Sequence, residues 1–327
     1  MEGGDEMTAE ATEVLQVTDF PAITNERLEA RFTVHKYHLA ADREAFVAGL
    51  ADRVRAIAIT TPGDPCDRAM IEALPTLEII AANAVGVDFI DRAAAAEWGV
   101  IVTNTPGVLT NCVADHGMGL LLAISRGIVE GDRYVRAGRW PTEGDMRLTT
   151  GLKGKTVGIV GLGRIGKEVA KRAEAFGMGI AYYGRHRQEG VPHPYFAEVA
   201  GLAHVADYLV LCCPGGAETR HLIDASVLEA LGPKGFLVNI ARGSVVDEAA
   251  LVTAARNQVI AGAAIDVFED EPNVPEALFG LDNVVVQPHQ ASATIETRTA
   301  MGDLMIENLT RHFAGELVPT SVAWEAA

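Results

Sequence analysis

An apolar run that stops at a glycine triplet, Val157-Gly158-Ile159-Val160-Gly161-Leu162-Gly163-Arg164-Ile165-Gly166, is followed by an amphipathic segment at 167–176 and can fold in very few ways. It reads as a strand feeding a tight turn and then a helix. In such a turn Gly161 permits the sharp reversal, Gly163 lets backbone N–H groups approach a pyrophosphate, and Gly166 lets helix and strand pack closely. The helix N-terminus adds partial positive charge, so a dinucleotide suits the geometry. Glycine turns of this spacing also occur without a ligand, and it is the strand before and the helix after that favour phosphate binding.

The 327 residues, 49% hydrophobic and 22% charged, can bury two ordinary cores, so about two domains are expected. A formal net charge of -17 argues against nucleic acid or an anionic membrane as partner, because phosphate neutralisation needs clustered Lys and Arg. A small anionic ligand must therefore meet positive charge locally. Cys66, Cys112, Cys212 and Cys213 form neither a C-x-x-C spacing nor a disulfide framework, so free thiols and no metal site are expected. The stretch 1–13 is acidic and lacks a basic-then-apolar leader, and no apolar run approaches about 18 residues, which makes a cytoplasmic location the expectation.

Short apolar runs at 14–18, 33–37, 54–60, 77–82 and 100–103 alternate with helix-like segments, a βα pattern in its own right. After the breaker cluster Asn104-Thr105-Pro106-Gly107, residues 110–137 read as one long helix bridging two domains. Beyond the glycine turn come β-like runs at 180–183, 208–212, 236–240, 262–267 and 284–287, a second doubly wound sheet. The amphipathic stretch 294–313 has no strand after it and is expected to return to the first domain. The fold class is thus α/β, with two doubly wound Rossmann-like domains. Residues 104–291 form the dinucleotide-binding domain, inserted into a domain made of 1–103 and 292–327.

In an open α/β sheet ligands gather at the carboxyl ends of strands, and several polar residues stand there. Arg242 follows the run 236–240; a surface pairing with Asp247 is its alternative. His289 follows 284–286 and comes directly after Pro288, where extended backbone is expected, whereas the eight other histidines, His35, His38 and His204 among them, read as structural or solvated. Glu271 precedes Pro272 in an acidic loop whose Glu269 and Asp270 read as solvated. Asp266 ends a strand and could cap a helix. Ala84-Val85-Gly86-Val87 offers consecutive N–H groups, a nest that binds anions without net charge. The strand after the glycine turn ends Tyr182-Tyr183-Gly184-Arg185-His186-Arg187: no carboxylate stands near Gly184 to hold ribose hydroxyls, and the paired guanidiniums of Arg185 and Arg187 suit a 2′-phosphate.

Asn83-Ala84-Val85-Gly86-Val87-Asp88, Thr103-Asn104-Thr105-Pro106, the glycine turn, Asn239-Ile240-Ala241-Arg242-Gly243, Asp266-Val267-Phe268-Glu269-Asp270-Glu271-Pro272 and Pro288-His289 occur in one order over most of the chain. In these motifs the sequence resembles the D-isomer-specific 2-hydroxyacid dehydrogenases, most closely the glyoxylate/hydroxypyruvate and hydroxyphenylpyruvate reductase branch. The resemblance implies that the domain of 1–103 and 292–327 carries the substrate and that the enzyme reduces glyoxylate, hydroxypyruvate or a related pyruvate with NADPH, NADH serving less well. It implies that Arg242 binds the substrate carboxylate or keto oxygen and polarises the carbonyl, that His289 is the general acid, and that Glu271 hydrogen-bonds His289 and fixes its tautomer. Asp266 would hold the nicotinamide carboxamide, Val85 and Gly86 the substrate carboxylate, and Trp140 would reach across a homodimer into the partner's pocket. Further cofactor contacts fall on Thr110, Leu162, Arg164, Ile165, Pro214, Thr219, Ile240, Ala241 and His289. The chain departs from the family at Gly215-Gly216 and at Gln290. Formate or phosphite dehydrogenases share the scaffold, but the formate branch lacks this Glu–His arrangement. A nucleotide-sensing corepressor of the C-terminal-binding-protein kind is the non-enzymatic alternative. A phosphoglycerate dehydrogenase with a regulatory domain is disfavoured by the short remainder after 313.

Overall fold

Short runs of aliphatic residues between glycine- and aspartate-marked turns form strands, all parallel, in two sheets. The computed structural model describes residues 12–61 and 63–322. The acidic stretch 1–11, read above for its lack of a leader pattern, lies outside the described residues.

The first unit comprises Met1–Val108 and Ile295–Ala327. Its strands are β1 (Glu13–Gln16), β2 (Thr33–Lys36), β3 (Val54–Ile59), β4 (Ile79–Ala82) and β5 (Ile101–Thr103), in the order β2-β1-β3-β4-β5. Side chains alternate across this sheet as the period of two requires. Ile57 and Ile59 pack with Ile71, Leu74 and Ile80 on one face, while Ala56 and Ala58 face Met305, Ile306 and Leu309 of the helix Ile295–Phe313 on the other. That helix lies tight against Ala22–Glu29: a Cβ added to Gly302 would stand 2.4 Å from Thr24 Oγ1. Among the described residues no strand follows it, as the sequence predicts, and the tail makes only an isolated bridge to β5. Ser321 bridges Thr103 in antiparallel sense and the Val322 N–H donates to Val102 O at 2.8 Å. Residues 104 and 105 are tied into this unit by Asn104 N–H to Thr320 O and Thr105 N–H to Ala84 O.

The second unit, Leu109–Thr294, holds β6 (Thr156–Val160), β7 (Gly179–Tyr183), β8 (Tyr195–Phe196), β9 (Tyr208–Leu211), β10 (Phe236–Asn239), β11 (Gly262–Ile265) and β12 (Val284–Val286). The order β12-β11-β10-β9-β6-β7-β8 is, counted from β6, the 3-2-1-4-5-6 arrangement of dinucleotide folds with a seventh strand added. It reverses between β6 and β9, which places the glycine turn at the switch point. Two-residue β8 is too short to show alternation in sequence; it is marked by Tyr195, whose ring lies 5.4 Å from that of Tyr182. The expected single helix over 110–137 is two, Thr110–Ser125 and Ile128–Arg136, bent by 59°. Gly127 lies between them at φ +57°, a left-handed conformation that an α-helix cannot continue through. Nor does this element bridge the units: Thr110–Ser125 lies within the second, against the helix Arg164–Ala175 and strands β10 to β12. Among the described residues no single helix is long and apolar enough to cross a membrane.

Candidate active site

The three glycines of the turn answer to different demands. Gly161 has φ +94° and an added Cβ would sit 2.7 Å from the backbone of Cys213, at the end of neighbouring β9. A Cβ on Gly166 would lie 2.4 Å from Gly161 O. A Cβ on Gly163, which caps Arg164–Ala175, would meet nothing within 4 Å. Protein packing thus requires the first and third glycines, while the second faces open space of the kind a pyrophosphate needs. The helix's first backbone bond runs from Lys167 N–H to Gly163 O, leaving the N–H groups of Arg164, Ile165 and Gly166 available to an anion.

Gln188, which sequence reading did not single out, ties the arginine loop to this turn. Its Nε2 donates to Leu162 O and its N–H to the Tyr182 hydroxyl, each at 2.8 Å, while Tyr195 Oη donates to Gly184 O at 3.2 Å. Arg185 and Arg187 are exposed beside it, and Arg185 Nη1 lies 3.8 Å from Glu218 on the loop after β9. Thr219 Oγ1 closes that loop by donating to Pro214 O at 2.8 Å. Buried Cys213 adjoins the turn, and burial pushes its thiol up to about 11; all four cysteines are free. Thr110 opens the helix Thr110–Ser125, in which Gly117 lets the Ile240 side chain approach: an added Cβ would lie 2.7 Å from Ile240 Cδ1.

The ends of β10, β11 and β12 carry the reactive groups. Beyond β10, Asn239 Oδ1 accepts from Ala241 N–H and Asn239 Nδ2 donates to Arg242 O, both at 3.0 Å, which shapes the turn that presents Arg242. Arg242 Nη1 donates to Ala241 O at 2.8 Å. Asp247 instead caps the helix Glu248–Arg256 by accepting from Ala250 N–H. The next residue, Gly243, is in backbone contact with the loop after β11: a Cβ there would stand 1.8 Å from the Phe268 carbonyl carbon. In that loop Glu271 Oε1 accepts from Phe268 N–H at 3.0 Å and Oε2 lies 2.7 Å from His289 Nδ1. An ionised Glu271 can only accept, so Nδ1 carries the proton of that bond and Nε2 is left for chemistry.

His289 is left-handed, at φ +53°, not extended. Proline restricts the residue before it, here Gln287, and exerts no such hold on the one after. The conformation, strained for a non-glycine residue, is held by Asp266. Its carbonyl accepts from His289 N–H at 2.8 Å, and its wholly buried carboxylate accepts from Gln290 N–H at 2.7 Å and Ala291 N–H at 2.9 Å. Asp266 is therefore neither a helix cap nor a solvent-facing group; it shapes the turn that carries His289. Another histidine, His116, lies 3.4 Å by Nε2 from Asp266 Oδ1, and that buried nitrogen has no hydrogen-bond partner among the described residues. Its place in Thr110–Ser125, facing a strand end, was the missed signal.

Glu269 is exposed, as expected, but not without partners. Its carboxylate meets Arg220 Nη2 at 2.9 Å and His221 Nε2 at 2.7 Å, and its N–H donates to Glu248 Oε1 at 2.8 Å. Burial and the neighbouring charges of Glu269, Asp270 and Glu271 hold the Glu248 carboxyl above the usual carboxylate range, against the bond from Glu269 N–H.

In the first unit the carbonyls of residues 83–85, in the loop after β4, are each hydrogen-bonded. Asn83 O accepts from Thr60 Oγ1, Ala84 O from Thr105 N–H and Val85 O from Asn104 Nδ2, each at 2.8 Å. Among the described residues the N–H groups of Val85 and Gly86 meet no protein acceptor. Trp140, in the short helix Trp140–Glu143, is 58% exposed, with Nε1 3.4 Å from Asp145. No cluster of metal-ligating side chains occurs among the described residues.

Residues 118–291 match the family profile described as D-isomer specific 2-hydroxyacid dehydrogenase, NAD binding domain. The chain is 45% identical over 313 residues to glyoxylate/hydroxypyruvate reductase A of Arabidopsis thaliana, covering 96% of this chain and 99% of that protein. It is 42% identical to 2-ketogluconate reductase of Gluconobacter oxydans, over 95% and 98% of the respective lengths. Among solved structures it is similar to an NADPH-dependent glyoxylate/hydroxypyruvate reductase of Sinorhizobium meliloti in complex with NADP and malonate, with a TM-score of 0.88, 43% identity and coverage of 96% and 97%.

Proposed function

Because the chain belongs to the D-isomer-specific 2-hydroxyacid dehydrogenases, we propose that it reduces glyoxylate, hydroxypyruvate or a related 2-keto acid to the D-2-hydroxy acid at the expense of NADPH. The observation that carries this reading is the 2.7 Å bond between Glu271 and His289 Nδ1, at a strand end next to the loop of Arg242. Glu271 fixes the ring and its tautomer, His289 Nε2 delivers a proton to the keto oxygen, and Arg242 polarises that oxygen or holds the carboxylate. Val85 and Gly86 hold the substrate carboxylate through their N–H groups. The nicotinamide, when bound, supplies the hydride. Its pyrophosphate would rest on the N–H groups of 164–166 and the open face of Gly163. Arg185 and Arg187 take the 2′-phosphate.

Steady-state kinetics over a panel of 2-keto acids with each cofactor tests the proposal, together with the double substitution Arg185→Ala, Arg187→Ala. Wild type should have the higher kcat/KM with NADPH. A charge-assisted bond to phosphate contributes about 1.5–3 kcal/mol, so the double variant should lose the preference while NADH kinetics change little. A wild-type preference for NADH would sink the cofactor assignment, and absence of turnover with every 2-keto acid would sink the enzyme reading.

A further inference from the structure

A peptide plane points its C=O and the following N–H in opposite directions, so fixing a carbonyl also aims the next N–H. Pinning Ala84 O to Thr105 N–H aims the Val85 N–H, and pinning Val85 O to Asn104 Nδ2 aims the Gly86 N–H. The first of these bonds is made by backbone. The second depends on one side chain, and the structure braces that residue. Asn104 N–H donates to Thr320 O at 3.2 Å, and Thr320 Oγ1 donates to Asn104 O at 2.6 Å. Thr320 is held in turn by fully buried Asn308 of the helix Ile295–Phe313: Asn308 Nδ2 donates to Thr320 Oγ1 at 2.8 Å and Thr320 N–H donates to Asn308 Oδ1 at 3.2 Å. The remaining Asn308 N–H reaches Leu304 O at 3.0 Å. Every polar atom of the Asn308 amide is thus spent on the tail or its own helix, and the tail spends Thr320 on Asn104.

We infer that Asn104, Thr320 and Asn308 are positioning residues for the anion nest, through which the carboxy-terminal tail sets the affinity for the substrate carboxylate. Resting on the reductase reading above, the inference adds that substrate binding is controlled from a segment more than two hundred residues away in sequence. Thr320 is chosen because its hydroxyl alone can be removed.

The test compares Thr320→Val, Thr320→Ser and Asn104→Ala with wild type, reading KM for glyoxylate and for NADPH, kcat, and the calorimetric Kd of oxalate as a non-reacting carboxylate. Thr320→Val and Asn104→Ala should each raise the glyoxylate KM and the oxalate Kd about three- to tenfold, the range expected of one hydrogen bond. NADPH KM should stay within about twofold, because the tail and the glycine turn belong to different units. Thr320→Ser keeps the hydroxyl and should behave as wild type. An unchanged oxalate Kd in both Thr320→Val and Asn104→Ala, or a loss in Thr320→Ser equal to that in Thr320→Val, overturns the inference. If wild type binds oxalate but turns over no 2-keto acid, the reductase reading has failed and the oxalate series still decides the relay.

Discussion

Glu271 and His289 are bonded to each other yet should fail differently. His289→Ala removes the proton donor and should lower kcat by about 10²–10⁴. Glu271→Gln keeps the size and its one amide oxygen can accept from Nδ1 at the expense of the bond from Phe268 N–H, so kcat should fall, but less than in His289→Ala. Pre-steady-state reduction measured in both variants separates the two roles: equal losses would make Glu271 as indispensable as the donor, and no loss in Glu271→Gln would reduce it to a loop anchor through Phe268 N–H. Asp266 belongs to the same scale. Three N–H groups, of residues 289, 290 and 291, converge on it, and they hold a left-handed histidine that its own preferences would not supply.

Between elements, the loops after β10 and β11 touch backbone to backbone at Gly243. Gly243→Ala places a methyl within 1.8 Å of the Phe268 carbonyl carbon, and no side chain is there to yield. Overpacking of this kind costs about 1–3 kcal/mol or more, and relief requires the 268–271 loop to move. Thermal denaturation should show a lowered Tm, with kcat falling because Glu271 rides on the displaced loop; a variant with native Tm and kcat would mean the contact is slack. The same loop is clamped from the other side by Glu248, whose carboxyl is held above its ordinary pKa by burial first and by the nearby acidic side chains next. A carboxyl with a raised folded-state pKa binds more protons folded than unfolded, so its contribution to stability declines as pH rises from the ordinary carboxylate value through the raised one. Glu248→Gln retains the acceptor for Glu269 N–H and loses the charge. Its Tm should exceed that of wild type at pH 7 and converge with it near pH 4, and a constant difference across that range would rule out ionisation as the cause.

At the scale of the whole molecule, the stretch from Ile128 to Leu148 exposes Ile128 at 55%, Val135 at 56%, Trp140 at 58% and Leu148 at 96%. Contiguous exposed apolar surface marks association sites, and these four exposed apolar side chains lie on one segment of the chain. A homodimer through this segment is the corresponding proposal: sedimentation velocity at micromolar concentration should give a dimer that Leu148→Asp weakens, and a fully active wild-type monomer would defeat it. Much of the molecule could be read from local pattern. Alternation and apolar runs place eleven of the twelve strands, because burial of a strand face imposes its period on consecutive residues. The glycine turn was legible for the same reason, since Gly161 answers to the adjacent strand end and Gly166 to a contact within a few residues, while Gly163 faces open space. Arg242 and His289 could be placed at strand ends, where a doubly wound sheet presents its ligands, and Glu271 in an acidic loop by the family resemblance. What escaped the sequence are the partners of polar groups. Asp266 caps residues 290 and 291, Glu269 pairs with Arg220 and His221, and Thr320 holds Asn104, each joining segments far apart in the chain. Hydrophobic burial is non-directional and leaves a periodic trace, whereas a hydrogen bond is directional and satisfied by whichever acceptor the fold delivers within about 3 Å, which only the tertiary structure decides.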